Sequence, residues 1–149
     1  MKKIVDFRKL LGVNESATLQ ELKTVYRTFM KDWHPDKFHG NEEALKEAEI
    51  KSKDFIEAYH FLVSIAPETR NQTIVEYQET INKASILDYE FKSQVLQVHF
   101  SDGSSYEYFD VPRAIYVKLV NADSPGRFAR RHIFNSYIYR SQNKIAASA

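Results

Sequence analysis

Two long amphipathic patterns separated by a short connection constrain the first half of this 149-residue chain. In both patterns, residues 18–33 and 41–65, apolar side chains recur every three or four positions, with Ser52 at one interrupted position of the second. The first seam consists of Leu19, Leu22, Tyr26, Phe29 and Trp33. Two such seams joined by a short connection bury each other as an antiparallel helical hairpin.

The connection contains the tripeptide His34-Pro35-Asp36. Proline has no N–H and disfavours the helical conformation at the residue before it, so the first helix is predicted to end at Trp33. The imidazole and the carboxylate are then expected on an exposed loop that follows a stripe of basic side chains. The stripe consists of Lys23, Arg27 and Lys31. This arrangement favours charge-directed docking of a partner.

Four further segments carry the same family pattern at the expected spacing from the tripeptide: residues 6–13, 21–23, 26–27 and 55–62. Because of these segments and the tripeptide, residues 1–67 resemble the J-domain family of DnaJ-like co-chaperones. The resemblance implies an all-α fold, an antiparallel helical hairpin with short flanking helices. It also implies binding to a DnaK-type heat-shock chaperone and stimulation of its ATP hydrolysis.

The resemblance also implies roles for individual residues. Asp36 is expected to pair with an arginine of the chaperone, while His34 and Pro35 hold the loop geometry. The docking face would consist of Lys23, Tyr26, Arg27 and Lys31. Two residues depart from the family pattern, since Thr28 and Asp32 stand where basic residues are usual. The face is therefore less positive, which predicts weaker electrostatic steering.

Local signals predict the elements around the hairpin. Residues 5–11 are expected to form a first helix that packs through Phe7, Leu10 and Leu11, and Thr18 with Glu21 forms a capping box for the next helix. After residue 67, residues 69–83 are predicted to form one further helix, interpreted as a bridge within a linker of residues 68–85.

From Ile86 the apolar pattern becomes alternating, and Asp102-Gly103 lies between two alternating runs. This pattern predicts a β-hairpin with positive φ at both turn residues. A helix is expected over residues 113–122. Residues 96–100, 106–108, 111–112 and 122–128 carry a resemblance to the KTSC domain, which follows some lysyl-tRNA synthetases. A small α+β domain is therefore expected over residues 86–140, with one or two helices and a flexible tail at 141–149.

Composition excludes several classes of protein. The chain has no cysteine, which rules out disulfides, thiol catalysis and cysteine-ligated zinc. Its formal net charge of +1 gives no support to a protein that binds mainly nucleic acid or anionic lipid. No nucleophile or phosphate-binding motif is present, so neither enzymatic activity nor a cofactor is expected. Because neither a signal sequence nor a membrane-spanning segment is apparent, the predicted location is cytoplasmic.

The last third of the chain leaves two interpretations open. Its candidate surface for RNA or another partner consists of Arg127, Arg130, Arg131, Tyr106 and Tyr108. Alternatively, the tyrosines pack the small sheet and the arginines are solvated or paired with Glu107 and Asp110. His99, Asp102 and His132 match no metal-binding spacing, so no metal site is expected.

The favoured hypothesis is a two-part adaptor. Its J domain would stimulate a DnaK-type ATPase, and its second domain would bind an unknown client or complex. The alternative is an RNA-associated or ribosome-associated module in which the J domain is mainly a scaffold. A third possibility is a pure protein-interaction scaffold, which would need Thr28→Arg and Asp32→Lys before any stimulation appeared.

Overall fold

The computed structural model describes residues 2–142, which divide into two compact units, residues 2–71 and residues 72–142. Most of the predicted tail, residues 143–149, lies outside the described residues. Each unit has its own secondary structure and core. Within residues 2–142, no helix is long and apolar enough to cross a membrane.

The first unit is all helical, as the sequence predicted. Its elements are α1 (Lys2–Leu11), α2 (Leu19–Trp33), a 3-10 helix (Pro35–Phe38), α3 (Glu42–Ile65) and α4 (Pro67–Gln72). Thr18 caps α2 by accepting the Glu21 N–H at 3.1 Å. Asn41 caps α3 in the same way, by accepting the Ala44 N–H at 3.1 Å.

The α2 and α3 helices pack as the predicted antiparallel hairpin through stacked aromatic rings. The Phe29 and Phe55 ring centroids are 3.8 Å apart, and those of Tyr26 and Tyr59 are 4.3 Å apart. Residues later in α2 therefore contact residues earlier in α3, which is the antiparallel arrangement. On α1 the prediction was wrong for Leu10, which is exposed; the buried residues there are Ile4 and Leu11.

The helix predicted over residues 69–83 is two helices in the structure, α4 and α5 (Ile74–Lys83), separated at Thr73. Thr73 has φ −117° and ψ 11°, outside the helical region. The division between the two units lies just before it, after Asn71. The α5 helix therefore lies within the second compact unit, where its apolar side is buried.

The second unit is a four-stranded antiparallel sheet with helices. Its strands are β1 (Ile86–Lys92), β2 (Val95–Phe100), β3 (Ser105–Tyr108) and β4 (Tyr139–Ser141), in the spatial order β1-β2-β3-β4. The helices α6 (Arg113–Asn121) and α7 (Pro125–His132) lie between β3 and β4 in the chain. This arrangement agrees with the predicted α+β class, and its register pairs Val98 with Tyr106.

The β2–β3 hairpin forms where Asp102-Gly103 predicted it, but its turn differs from the prediction. Only Gly103 of this pair has a positive φ, at 88°. The chain spans residues 101–104 between the strands, and Gly103 N–H donates to the Phe100 carbonyl at 3.1 Å. The tighter β1–β2 turn was not predicted, since Ser93 and Gln94 adopt φ of 52° and 65° without glycine.

Candidate functional site

The His34-Pro35-Asp36 loop begins where α2 ends, at Trp33, as the sequence predicted. His34 leaves the helix in an extended conformation, and Pro35 starts the 3-10 helix. The side chains are 47% exposed at His34 and 81% exposed at Asp36. The loop therefore presents an imidazole and a carboxylate to solvent.

Local hydrogen bonds define the shape of this loop. Nδ1 of His34 accepts the Asp36 N–H at 3.2 Å, and the His34 carbonyl accepts the Lys37 N–H at 3.0 Å. The Asp36 carboxylate lies farther from the same Nδ1, at 3.5 Å. The shorter contact fits a neutral imidazole that carries its proton on Nε2. The carboxylate then has most of its accepting capacity available for a partner.

The basic stripe of α2 leads toward this loop along an exposed side of the helix. Its three members are Lys23, Arg27 and Lys31, which follow one another at four-residue spacing. All three are exposed, and so are Thr28 and Asp32, the two residues that make the face less positive. Tyr26 differs from them because its ring is half-buried against Tyr59.

The α3 helix contributes two side chains that sequence reasoning did not assign to the site. Ser52 donates its hydroxyl to the Trp33 carbonyl at 2.9 Å, and Nζ of Lys51 lies 3.8 Å from the centroid of the Trp33 ring. The available sequence signal was the interruption of the apolar seam at Ser52. A small polar residue at a buried seam position needs a hydrogen-bond partner, but the sequence does not say which one.

The structure does not bring together the residues that were assigned to the candidate surface for RNA or another partner in the second unit. Tyr106 is 3% exposed and Tyr108 is 0% exposed, so both pack the core, and their assignment to a surface for RNA or another partner was wrong. They point inward because they alternate with Ser105 and Glu107 along β3. The three arginines of the predicted surface are exposed on α7: Arg127, Arg130 and Arg131.

For Glu107, the alternative pairing with those arginines differs from the structure. Glu107 forms an ion pair with Arg140 of β4, with Nε 2.9 Å from Oε1. These two residues are cross-strand neighbours, which the sequence did not indicate because β4 was not predicted. Asp102, considered as a metal ligand, accepts hydrogen bonds from Thr80 and Ser104. No group of three potential metal ligands occurs among residues 2–142.

Family comparisons agree with this division of the chain. The family model of the DnaJ domain matches residues 6–72, and that of the KTSC domain matches residues 82–137. The chain therefore contains a J domain followed by a KTSC domain. The His34-Pro35-Asp36 loop lies in the J domain, and the α7 arginines lie in the KTSC domain.

Similar proteins match over the J domain. The chaperone protein DnaJ of Thermosipho africanus is 42% identical over 65 residues, which is 44% of this chain and 16% of the relative. The DnaJ of Mesomycoplasma hyopneumoniae is 47% identical over 58 residues, 38% of this chain and 16% of that protein. The DnaJ protein P58IPK homolog of Arabidopsis thaliana is 40% identical over 62 residues, 42% of this chain and 12% of its own length. The chain thus spans a small part of each of these relatives.

Proposed function

We propose that this protein is a J-domain co-chaperone that binds a DnaK-type heat-shock chaperone and stimulates its ATP hydrolysis. The observation that carries the proposal is the exposed Asp36 carboxylate, held on a loop at the end of the basic α2 stripe. The DnaJ relatives are named as chaperone proteins, which supports the same class.

The geometry gives each group a role in docking. Asp36 offers a carboxylate to a cationic side chain of the chaperone, and a guanidinium can engage both of its oxygens. The α2 stripe attracts an acidic surface and orients the encounter before the loop engages. His34 accepts the Asp36 backbone N–H, so it holds the backbone from which the carboxylate projects.

The first prediction concerns Asp36→Asn, which removes the charge but keeps the size of the side chain. We expect stimulation of the chaperone's ATPase to be lost. Truncating one partner of a docked charge pair costs about 2–5 kcal/mol, which is more than tenfold in affinity. The measurement is single-turnover ATP hydrolysis by the DnaK-type chaperone of the same organism, at low and moderate salt.

Asp32→Asn is the matched control, because it removes one exposed carboxylate of α2 outside the tripeptide. It should retain or raise the stimulation. Equal stimulation by wild type and Asp36→Asn would reject the docking role of the loop. Stimulation that appears only after Thr28→Arg and Asp32→Lys would favour a J domain that serves as a scaffold.

We also propose that the KTSC domain targets the J domain to a client or complex. The support is a group of exposed arginines on one side of α7, at three- and four-residue spacing: Arg127, Arg130 and Arg131. Such a face suits an acidic partner. RNA remains the alternative, although the burial of Tyr106 and Tyr108 removes two of the rings on which bases could stack.

A further inference from the structure

Ser52 is a buried polar residue within the α2–α3 hairpin, where the neighbouring seam positions carry apolar side chains. It is 4% exposed, and its hydroxyl donates to the Trp33 carbonyl at 2.9 Å. Trp33 is the last residue of α2 and directly precedes the tripeptide. The bond therefore joins the middle of α3 to the point at which the loop begins.

The Trp33 carbonyl needs this donor because the chain beyond it supplies none. The Met30 carbonyl accepts the His34 N–H, but Pro35 has no N–H with which to continue the helix. The next two amides are used within the loop, since Asp36 N–H donates to Nδ1 of His34 and Lys37 N–H donates to the His34 carbonyl. The hydroxyl of Ser52 thus supplies the Trp33 carbonyl with the donor that the following chain lacks.

Two further side chains contact the Trp33 ring and help to hold it in place. The Lys51 ammonium lies 3.8 Å from the centroid of the Trp33 ring, a cation–π contact. The Trp33 ring stacks on Phe38 with centroids 6.0 Å apart. Because Trp33 and Phe38 flank the tripeptide on its two sides, contacts centred on Trp33 reach both ends of the loop.

We propose that Ser52 is a positioning residue that holds the His34-Pro35-Asp36 loop in its docking conformation through the Trp33 carbonyl. The expected effect of Ser52 on chaperone stimulation rests on the proposed function. Its expected effect on the loop conformation can be measured in the free protein, without the chaperone. When the hydroxyl is absent, the loop samples other conformations, and a smaller fraction of molecules presents Asp36 correctly.

The test is Ser52→Ala in the full chain. Losing one hydrogen bond of ordinary strength should raise the concentration needed for half-maximal ATPase stimulation about 3- to 10-fold. The stimulated rate at saturation should stay unchanged, because molecules in the docking conformation are unaltered. Ser52→Thr keeps the donor and should retain the wild-type half-maximal concentration.

A second readout needs no chaperone. In the free protein, the imidazole ¹⁵N shifts of His34 report its tautomer at a pH where the ring is neutral. Wild type should be mainly Nε2-protonated because Nδ1 accepts the Asp36 amide. Ser52→Ala should shift these signals toward a mixture of the two tautomers.

Ser64→Ala is the matched control. Ser64 also lies on α3, and its hydroxyl donates to the Phe61 carbonyl at 2.5 Å, away from the tripeptide. It should change neither readout. Unchanged His34 signals in Ser52→Ala would overturn the positioning role, whatever the ATPase assay shows. If wild type fails to stimulate any ATPase, the proposed function fails, and the His34 signals alone decide whether Ser52 positions the loop.

Discussion

Tyr77 on α5 links two strands and a connecting segment of the second unit through its hydroxyl and its ring. The hydroxyl donates to the Phe134 carbonyl at 2.5 Å, so the Tyr108 hydroxyl, 2.9 Å away, must donate to it. Its ring stacks on Tyr139 with centroids 3.8 Å apart. Desolvation raises the pKa of both Tyr77 and Tyr108, so both hydroxyls stay neutral donors.

The prediction for this residue is that Tyr77→Phe destabilises the second unit. The change leaves the Tyr108 hydroxyl without its acceptor and the Phe134 carbonyl without its donor, both in the core. Stranding buried polar groups in this way costs about 1–3 kcal/mol. Hydrogen exchange of the β2 amides measures the loss directly, as a lower free energy of opening.

Tyr116→Phe is the control for that measurement, since it removes a hydroxyl from a half-buried ring stacked on Phe91. It should stay within about 0.5 kcal/mol of wild type. An equal effect of the two substitutions would mean that the Tyr77 hydroxyl network contributes nothing beyond ring packing.

Neither of the two family matches covers the whole of helix α5. The DnaJ match ends at residue 72, and the KTSC match begins at residue 82. Nevertheless, α5 buries Tyr77 and Ile81 in the core of the second unit. Thr80 adds a hydrogen bond from α5 to Asp102 in the β2–β3 turn, at 2.8 Å. The helix is therefore an integral part of that unit.

We predict that a fragment of residues 72–142 folds cooperatively and that a fragment of residues 84–142 does not. Burying a large apolar side chain contributes about 1.5–3 kcal/mol, so losing Tyr77 and Ile81 removes about 3–6 kcal/mol. A domain has in total about 5–15 kcal/mol of stability. Urea unfolding followed by near-UV circular dichroism tests this. Equal midpoints for both fragments would show that α5 is dispensable.

We propose that each of the two units binds a different partner through its own surface. Asp36 would act on the chaperone, and the α7 arginines would act on a client or complex. We predict that Arg130→Gln combined with Arg131→Gln leaves ATPase stimulation intact and abolishes partner capture. The measurement is the ATPase assay together with capture from a lysate of the same organism, with and without ribonuclease.

Arg113→Gln with Lys118→Gln is the matched control, since it removes the same charge from exposed positions of α6. It should leave capture unchanged. Capture of a protein that survives ribonuclease would support targeting to a protein partner. Binding that disappears with ribonuclease, and that weakens steeply with salt, would support the RNA alternative instead.

The helical hairpin could be predicted from sequence because its information is local. Apolar spacing sets the buried side of α2, Pro35 ends that helix, and Thr18 and Asn41 cap α2 and α3. The exposure of His34 and Asp36 follows from the same signals. The hairpin of the second unit could also be located from alternation around Gly103.

Long-range contacts had to come from the tertiary structure. The burial of Tyr106 and Tyr108 depends on which side of the sheet the helices cover, and alternation alone leaves that choice open. The Ser52 hydrogen bond joins residues 19 positions apart in the chain, and Tyr77 reaches across 57 positions to the Phe134 carbonyl. Local patterns therefore indicated the helical hairpin and the β2–β3 turn, while packing decided which polar groups meet, because those contacts depend on how the elements come together in space.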